Sequence, residues 1–202
     1  MKHDNRVKNE VAIVALTSAA LAHVSETNIV PRIYAWRDRI SHQEPGWILQ
    51  ELMPGVPLAE PFQTMSPDEK RGILAQMAVI LHALQDYRLP DSIQGYGGVM
   101  FSEAGAIISA PMPSVGAGPW TSLEDSYRGR MEVALALADE NPHLRGWRPN
   151  AVRERVEAFI QMGLSERLSR LSAKEERVIV HADLCMSFAL PLLLWYFSLF
   201  SS

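Results

Sequence analysis

Trp47-Ile48-Leu49-Gln50-Glu51-Leu52-Met53-Pro54-Gly55-Val56-Pro57-Leu58 passes from a strand pattern into a segment that no strand can contain. Gly46 to Leu52 reads as a strand rich in apolar residues. Pro54, Gly55 and Pro57 then force a connector, because proline removes a ladder donor and glycine weakens an extended run. Upstream, Arg32 to Trp36 reads as a second strand, and the charged stretch Arg37 to Glu44 as the turn of a hairpin. Before the hairpin, Val7, Val11, Val14, Ala15, Leu21 and Ala22 fall at helical spacing. They predict a helix over Val7 to Ser25, broken by Asn28-Ile29-Val30-Pro31.

Downstream, Ser66-Pro67-Asp68-Glu69 combines an N-cap serine, a proline at the first helical position and a glutamate three after the cap. It predicts a helix to about Tyr87 with Ile73, Leu74, Met77, Ile80, Leu81 and Leu84 on its core face. Pro90 to Trp120 is rich in glycine and proline and reads as an irregular excursion with a short hairpin. Within it, Gly95-Tyr96-Gly97-Gly98 is a tight turn rather than a phosphate cradle, since no Gly-Lys-Ser/Thr follows. Thr121-x-x-Glu124 reads as a capping box opening a helix to about Asp139, ended by Asn141-Pro142. Asn150 caps a further helix through Met162, Leu164 to Leu171 form a short one, and a strand over Val178 to Val180 enters His181. Helix, two strands, connector and then mostly helices make an α+β pattern.

Composition bounds the function. A chain of 202 residues, 48% hydrophobic and 21% charged, is globular material for one domain or two small lobes. The net charge of -4 gives no reason to expect nucleic acid or an anionic membrane as partner. Arg128, Arg130, Arg145 and Arg148 are too sparse for a basic patch and read as solvated faces. The single cysteine, Cys185, excludes an internal disulfide framework and fits a reducing compartment. MKHDNRVKNE lacks the apolar stretch of a signal peptide, so the expected location is the cytosol.

His181-Ala182-Asp183 is the candidate for chemistry. A carboxylate just past a buried strand is held rigidly, as a general base must be. Asp183 is then the group to take a hydroxyl proton, and His181 braces the loop. In the plainer reading Asp183 caps a turn and His181 is a satisfied core histidine. A metal site made from this triplet lacks the further His/Asp ligands it needs.

The strand Trp47 to Leu52, the element Met53-x-Gly55-x-x-Leu58, the helix around Asn9-Glu10-Val11-Ala12, the strand entry Val30-Pro31-Arg32-Ile33-Tyr34 and His181-Ala182-Asp183-Leu184 occur in that family's order in the aminoglycoside phosphotransferase and choline kinase-like group. The chain resembles that branch of the protein kinase-like fold from about Val7 to Leu184. The resemblance implies an ATP-dependent phosphotransferase with Mg2+ as metal and a small-molecule hydroxyl as acceptor. It implies that the backbone of Gln50, Glu51, Leu52 and Met53 holds adenine, that Asp183 is the catalytic base and that His181 orients the loop. Glu10 is either the helix glutamate that pairs with a strand lysine or a solvated helix residue.

The same comparison exposes departures. Only MKHDNRVKN precedes Glu10, too little for the family's glycine-containing loop and strand lysine, and Lys2 and Lys8 lie too close to Glu10 in sequence. Phe188 occupies the position of the metal-binding asparagine, and no aspartate or glutamate follows Asp183. The expectation is an incomplete kinase-like α+β fold: a remnant of the small sheet lobe plus a mainly helical large lobe over residues 1–184, with a hinge near 50–58. Residues 185–202 form an apolar tail. FALPLLLWYFSLF is shorter than the ~20 residues of a spanning helix, is interrupted by Pro191 and lacks flanking basic residues. It reads as a membrane anchor, as part of a different core, or as a replacement of the family's continuation; the abrupt loss of charge favours the third. Loss of metal ligands removes charge neutralisation, so no significant kinase activity is expected. The alternative is a non-catalytic, pseudokinase-like binding module or a membrane-tethered fragment.

Overall fold

The computed structural model describes residues 5–24, 29–39, 41, 43–55, 57–147, 149–170 and 176–180. The described elements are helices and small antiparallel sheets, an α+β architecture. The chain divides into two compact units: Met1–Ala12, Asp38–Pro45 and Pro90–Arg177 in the first, Ile13–Arg37, Gly46–Leu89 and Val178–Ser202 in the second. Helix α1 (Arg6–Leu21) belongs to both, burying Val11 and Ala12 in its first half and Leu16, Ala20 and Leu21 in its second.

In the second unit, β1 (Ile33–Arg37) and β2 (Trp47–Gln50) pair antiparallel, with Ile33 facing Gln50, Ala35 facing Leu49 and Arg37 facing Trp47. The register shifts between Ile33 and Ala35, so Tyr34 is a bulge residue. The expected hairpin is present, but β2 stops at Gln50, short of Leu52, because the side chain of Glu51 enters the ladder. The connector follows as the prolines require. Gly55 has φ of 135°, a conformation only glycine adopts without strain. Leu58 then drops into a core with Ile73, ringed by Phe62, Met65 and Met77. A short helix, α2 (Ala59–Thr64), was not legible in the sequence because Pro61 lies in it. A proline is tolerated there, since first-turn N–H groups have no intrahelical acceptor.

Helix α3 (Pro67–Asp86) opens on the full capping box. The Ser66 hydroxyl accepts from the Glu69 N–H (3.3 Å), and the Glu69 carboxylate accepts from the Ser66 N–H (2.7 Å). The Ser66 backbone N–H first, and the Ser66 hydroxyl second, favour the charged carboxylate and lower the Glu69 pKa. The core stripe of α3 is narrower than its periodicity suggests. Ile73 and Leu84 are buried, whereas Leu74 is 49% exposed. Residues 176–180 do not form the expected strand. Ile179 is buried between exposed Val178 and Val180, the period-2 pattern of an extended segment, but among the described residues no strand pairs with it.

The first unit carries the second hairpin, β3 (Gly98–Phe101) and β4 (Ile107–Ala110), in unbroken register. Just before it, Tyr96 and Trp120 exchange both backbone hydrogen bonds (2.7 and 2.8 Å). A Cβ on Gly97 would approach the Ala110 carbonyl oxygen to 2.8 Å. The Gly95–Gly98 run is therefore a closely packed extended segment, with Tyr96 bridged to Trp120 and Gly98 opening β3, rather than the tight turn its sequence predicted. Helix α4 (Leu123–Glu140) begins one residue away from the expected box. Ser122 is the cap, accepting from the Asp125 N–H (3.0 Å), and both Ser122 and Thr121 donate to the Asp125 carboxylate. These hydroxyls, Ser122 first, lower the Asp125 pKa.

A 3-10 helix (Pro142–Trp147) follows, then α5 (Val152–Ala158), a π turn (Phe159–Gly163) and α6 (Leu164–Ser169). Asn150 does serve the start of α5, accepting from the Val152 N–H at 3.2 Å. The two predicted helices run on through the π turn. Arg128 corrects the solvated-face reading: it pairs with Glu124 and donates to the Ile160 carbonyl of the π turn. Arg130 lies over the Tyr127 ring, 5.9 Å from its centre.

Candidate functional site

Three groups of residues carry the chemistry expected from the sequence: Glu10, the segment Gln50–Met53, and His181 with Asp183. His181 and Asp183 lie outside the described residues, as does Phe188. Glu10 lies on an exposed face of α1 in the first unit, and Gln50–Met53 belong to the second unit. Lys8, a near neighbour in sequence, forms an ion pair with Asp38 (3.0 Å). The sequence argument that Lys8 is no partner for Glu10 agrees with this pairing.

The hinge segment is the best-defined part. Gln50 ends β2 opposite Ile33. Glu51 donates its N–H to the Arg32 carbonyl (2.7 Å), and its carboxylate accepts from the Arg32 N–H (3.1 Å). Leu52 is 94% exposed. Among the described residues, the Glu51 carbonyl and the N–H groups of Leu52 and Met53 have no hydrogen-bond partner. Backbone N–H and carbonyl groups are strong donors and acceptors, so such groups at a strand end can serve water or a ligand. The Met53-x-Gly55-x-x-Leu58 element acquires physical roles. Gly55 supplies the left-handed turn, and Leu58 ties the connector to the Ile73 core. Sequence reasoning missed the Glu51–Arg32 clasp; the only available sign was a carboxylate directly after an apolar strand.

Two other features stand apart from this segment. An apolar groove of ≈ 550 Å³ is lined by Met131, Leu135, Val152, Val156 and Phe159, with Arg155 as its charged member. In the same unit, Glu124 accepts from Ser165 and from the Arg128 guanidinium, and these bonds, Ser165 first, lower its pKa. Glu124 and Arg128 stand at i,i+4 spacing, a signal visible in the sequence. Among the described residues no group of three or more His, Cys, Asp or Glu side chains is arranged to hold a metal, and no helix is long and apolar enough to cross a membrane.

The second unit thus carries a small bulged hairpin, a glycine-turned connector and a capped helix in succession. Residues 3–187 match the phosphotransferase enzyme family, and the chain belongs to that family, in agreement with the aminoglycoside phosphotransferase and choline kinase-like resemblance of its motifs. The family implies a kinase-like fold and phosphotransferase activity. No curated protein and no solved structure matches the chain.

Proposed function

We propose that this chain is a nucleotide-binding member of its family, built on a scaffold for ATP-dependent phosphorylation of a small-molecule hydroxyl, and that the 202-residue chain does not itself transfer phosphate. One observation supports the nucleotide reading above others. Among the described residues, the Glu51 carbonyl and the Met53 N–H at the end of β2 are an acceptor and a donor without a partner. Adenine presents a complementary edge, an amino donor beside a ring-nitrogen acceptor. Backbone recognition of that edge does not depend on side-chain identity, and Leu52 points its side chain into solvent.

By the family resemblance Asp183 stands where the base for the acceptor hydroxyl belongs and His181 where its loop is steadied. The donor set for a metal does not fit. Phe188 offers no ligand atom, and residues 184–202 carry no charged side chain. Hard divalent cations need oxygen ligands, which this stretch supplies only through serine and tyrosine hydroxyls and backbone. A non-catalytic binding module is therefore the form of the family function that these residues favour, with cytosolic residence as its setting. Titration with ATP followed by a radiolabelled transfer assay with small alcohols and amino sugars tests both halves. Saturable ATP binding without turnover is the expected result. Turnover of any acceptor would overturn the inactivity, and absence of ATP binding would overturn the nucleotide reading.

A further inference from the structure

The facing of Ile33 and Gln50 makes Arg32 and Glu51 the next pair along the β1–β2 ladder. The Glu51 N–H to Arg32 carbonyl bond marks this as a pair of the hydrogen-bonded kind. Such a pair normally exchanges two bonds, each residue's N–H meeting the other's carbonyl. Here the second bond is diverted. The Arg32 N–H donates to the Glu51 carboxylate (3.1 Å) rather than to the Glu51 carbonyl.

We infer that the Glu51 carboxylate is a positioning group that stands in for Glu51's own carbonyl in the ladder, so that this carbonyl is kept for a ligand bearing an N–H donor. The inference rests on the nucleotide reading given above and adds a source of base selectivity to it. An ionised carboxylate is the stronger acceptor, so it outcompetes the peptide oxygen for the Arg32 N–H. The bulge at Tyr34 lies just beyond this pair, where bulges add twist and end regular pairing. Together they turn the chain out of the sheet at Glu51, and Leu52 emerges fully into solvent. A released carbonyl selects a 6-amino purine, which offers it a hydrogen. A 6-oxo purine would set two acceptors against each other and leave both unsatisfied.

Removing the carboxylate has an unusual predicted signature. In Glu51→Ala the Arg32 N–H is free to take the Glu51 carbonyl, adding a regular rung to the ladder. Nucleotide binding is weakened while the fold is kept. The test is calorimetric titration of the full chain with ATP and with GTP, alongside thermal melting. Native chain should prefer ATP to GTP. Glu51→Ala should lose about tenfold in ATP affinity and most of that preference, with a melting temperature unchanged or raised. Glu51→Gln keeps an acceptor oxygen and should stay within about threefold of native. ATP affinity and preference unchanged in Glu51→Ala would overturn the positioning role. So would equal losses for both nucleotides with a lowered melting temperature, the mark of a purely structural clasp. A native chain that fails to bind ATP would instead overturn the nucleotide reading, and the role of the clasp with it.

Discussion

The two hairpins are built on strands of similar length, four or five residues each, and have opposite design. The β3–β4 hairpin is regular and fastened down. Gly98, Val99 and Ala110 are buried. Asn9 of α1 accepts from the Val99 N–H (2.9 Å), and Asn5, one helical turn earlier, donates to the Pro111 carbonyl (2.7 Å). Ser109 accepts from the N–H groups of Gln94 and Gly95, and Ser92 donates to the Ile107 carbonyl. The β1–β2 hairpin is bulged, exposes Tyr34, Trp36, Trp47 and Leu49, and ends in peptide groups that have no partner among the described residues. Fixed peptide groups hold a fold together, and unfixed ones are available to a ligand. Binding segments are drawn from the less stabilised parts of a structure for that reason. The contrast predicts that equal chemical insults will have unequal effects on the two hairpins.

The largest effect belongs to Gly98. A Cβ there would lie 2.6 Å from both the Asn9 side-chain oxygen and the Pro111 carbonyl oxygen. Gly98→Ala should destabilise the chain by about 3 kcal/mol in urea unfolding, the upper end of overpacking costs. Adding Asn9→Ala should relieve only part of the clash, because the Pro111 oxygen is backbone. A Gly98→Ala chain as stable as native would show that β3 is not tightly packed and would erase the contrast.

Asn9→Ala alone is the second test. It strands the Val99 N–H in a nearly dry place, Val99 being 6% exposed. The expected loss is about 2 kcal/mol, the cost of an unsatisfied buried donor. Asn9→Asp retains the acceptor and should recover most of it. Equal stability of Asn9→Ala and native would mean that water replaces the amide, and that the second hairpin is no drier than the first.

How far the sequence disclosed these features depended on how local their causes are. The Ser66–Glu69 box is closed by four adjacent residues, and it was legible to the residue. Thr121-Ser122-Leu123-Glu124-Asp125 contains two overlapping boxes, and the sequence does not choose between them. The choice is made from far away. Ser165 draws the Glu124 carboxylate out of the local competition, with Arg128 helping, and leaves Asp125 to the cap. The strand pair was legible from its apolar runs, yet its end was not, because Glu51 closes on a residue nineteen positions earlier. Asn5 and Asn9 read as ordinary helix polars, since their partners lie in a hairpin about a hundred residues on. Of the candidate site, the hinge motif was visible as Met53-Pro54-Gly55-Val56-Pro57-Leu58, because glycine and a core leucine leave local traces. The Arg32–Glu51 clasp left none.

The smallest effect should fall on the first hairpin and is the sharpest check on the comparison. Leu49 faces Ala35 across the ladder and is 57% exposed. Leu49→Thr removes apolar surface that is largely in water already and introduces a β-branched residue suited to a strand. The expected change is within about 0.5 kcal/mol, as for surface substitutions away from caps and buried groups. The neighbouring peptide groups of Glu51 and Arg32 are untouched, so ATP affinity should stay within about twofold. A loss of about 2 kcal/mol would mean that the exposed face of β1–β2 is covered when the protein folds in solution, as a core leucine would be. In that event the hairpin is held by packing after all, and the freedom of the hinge edge would have to come from the Glu51 clasp alone.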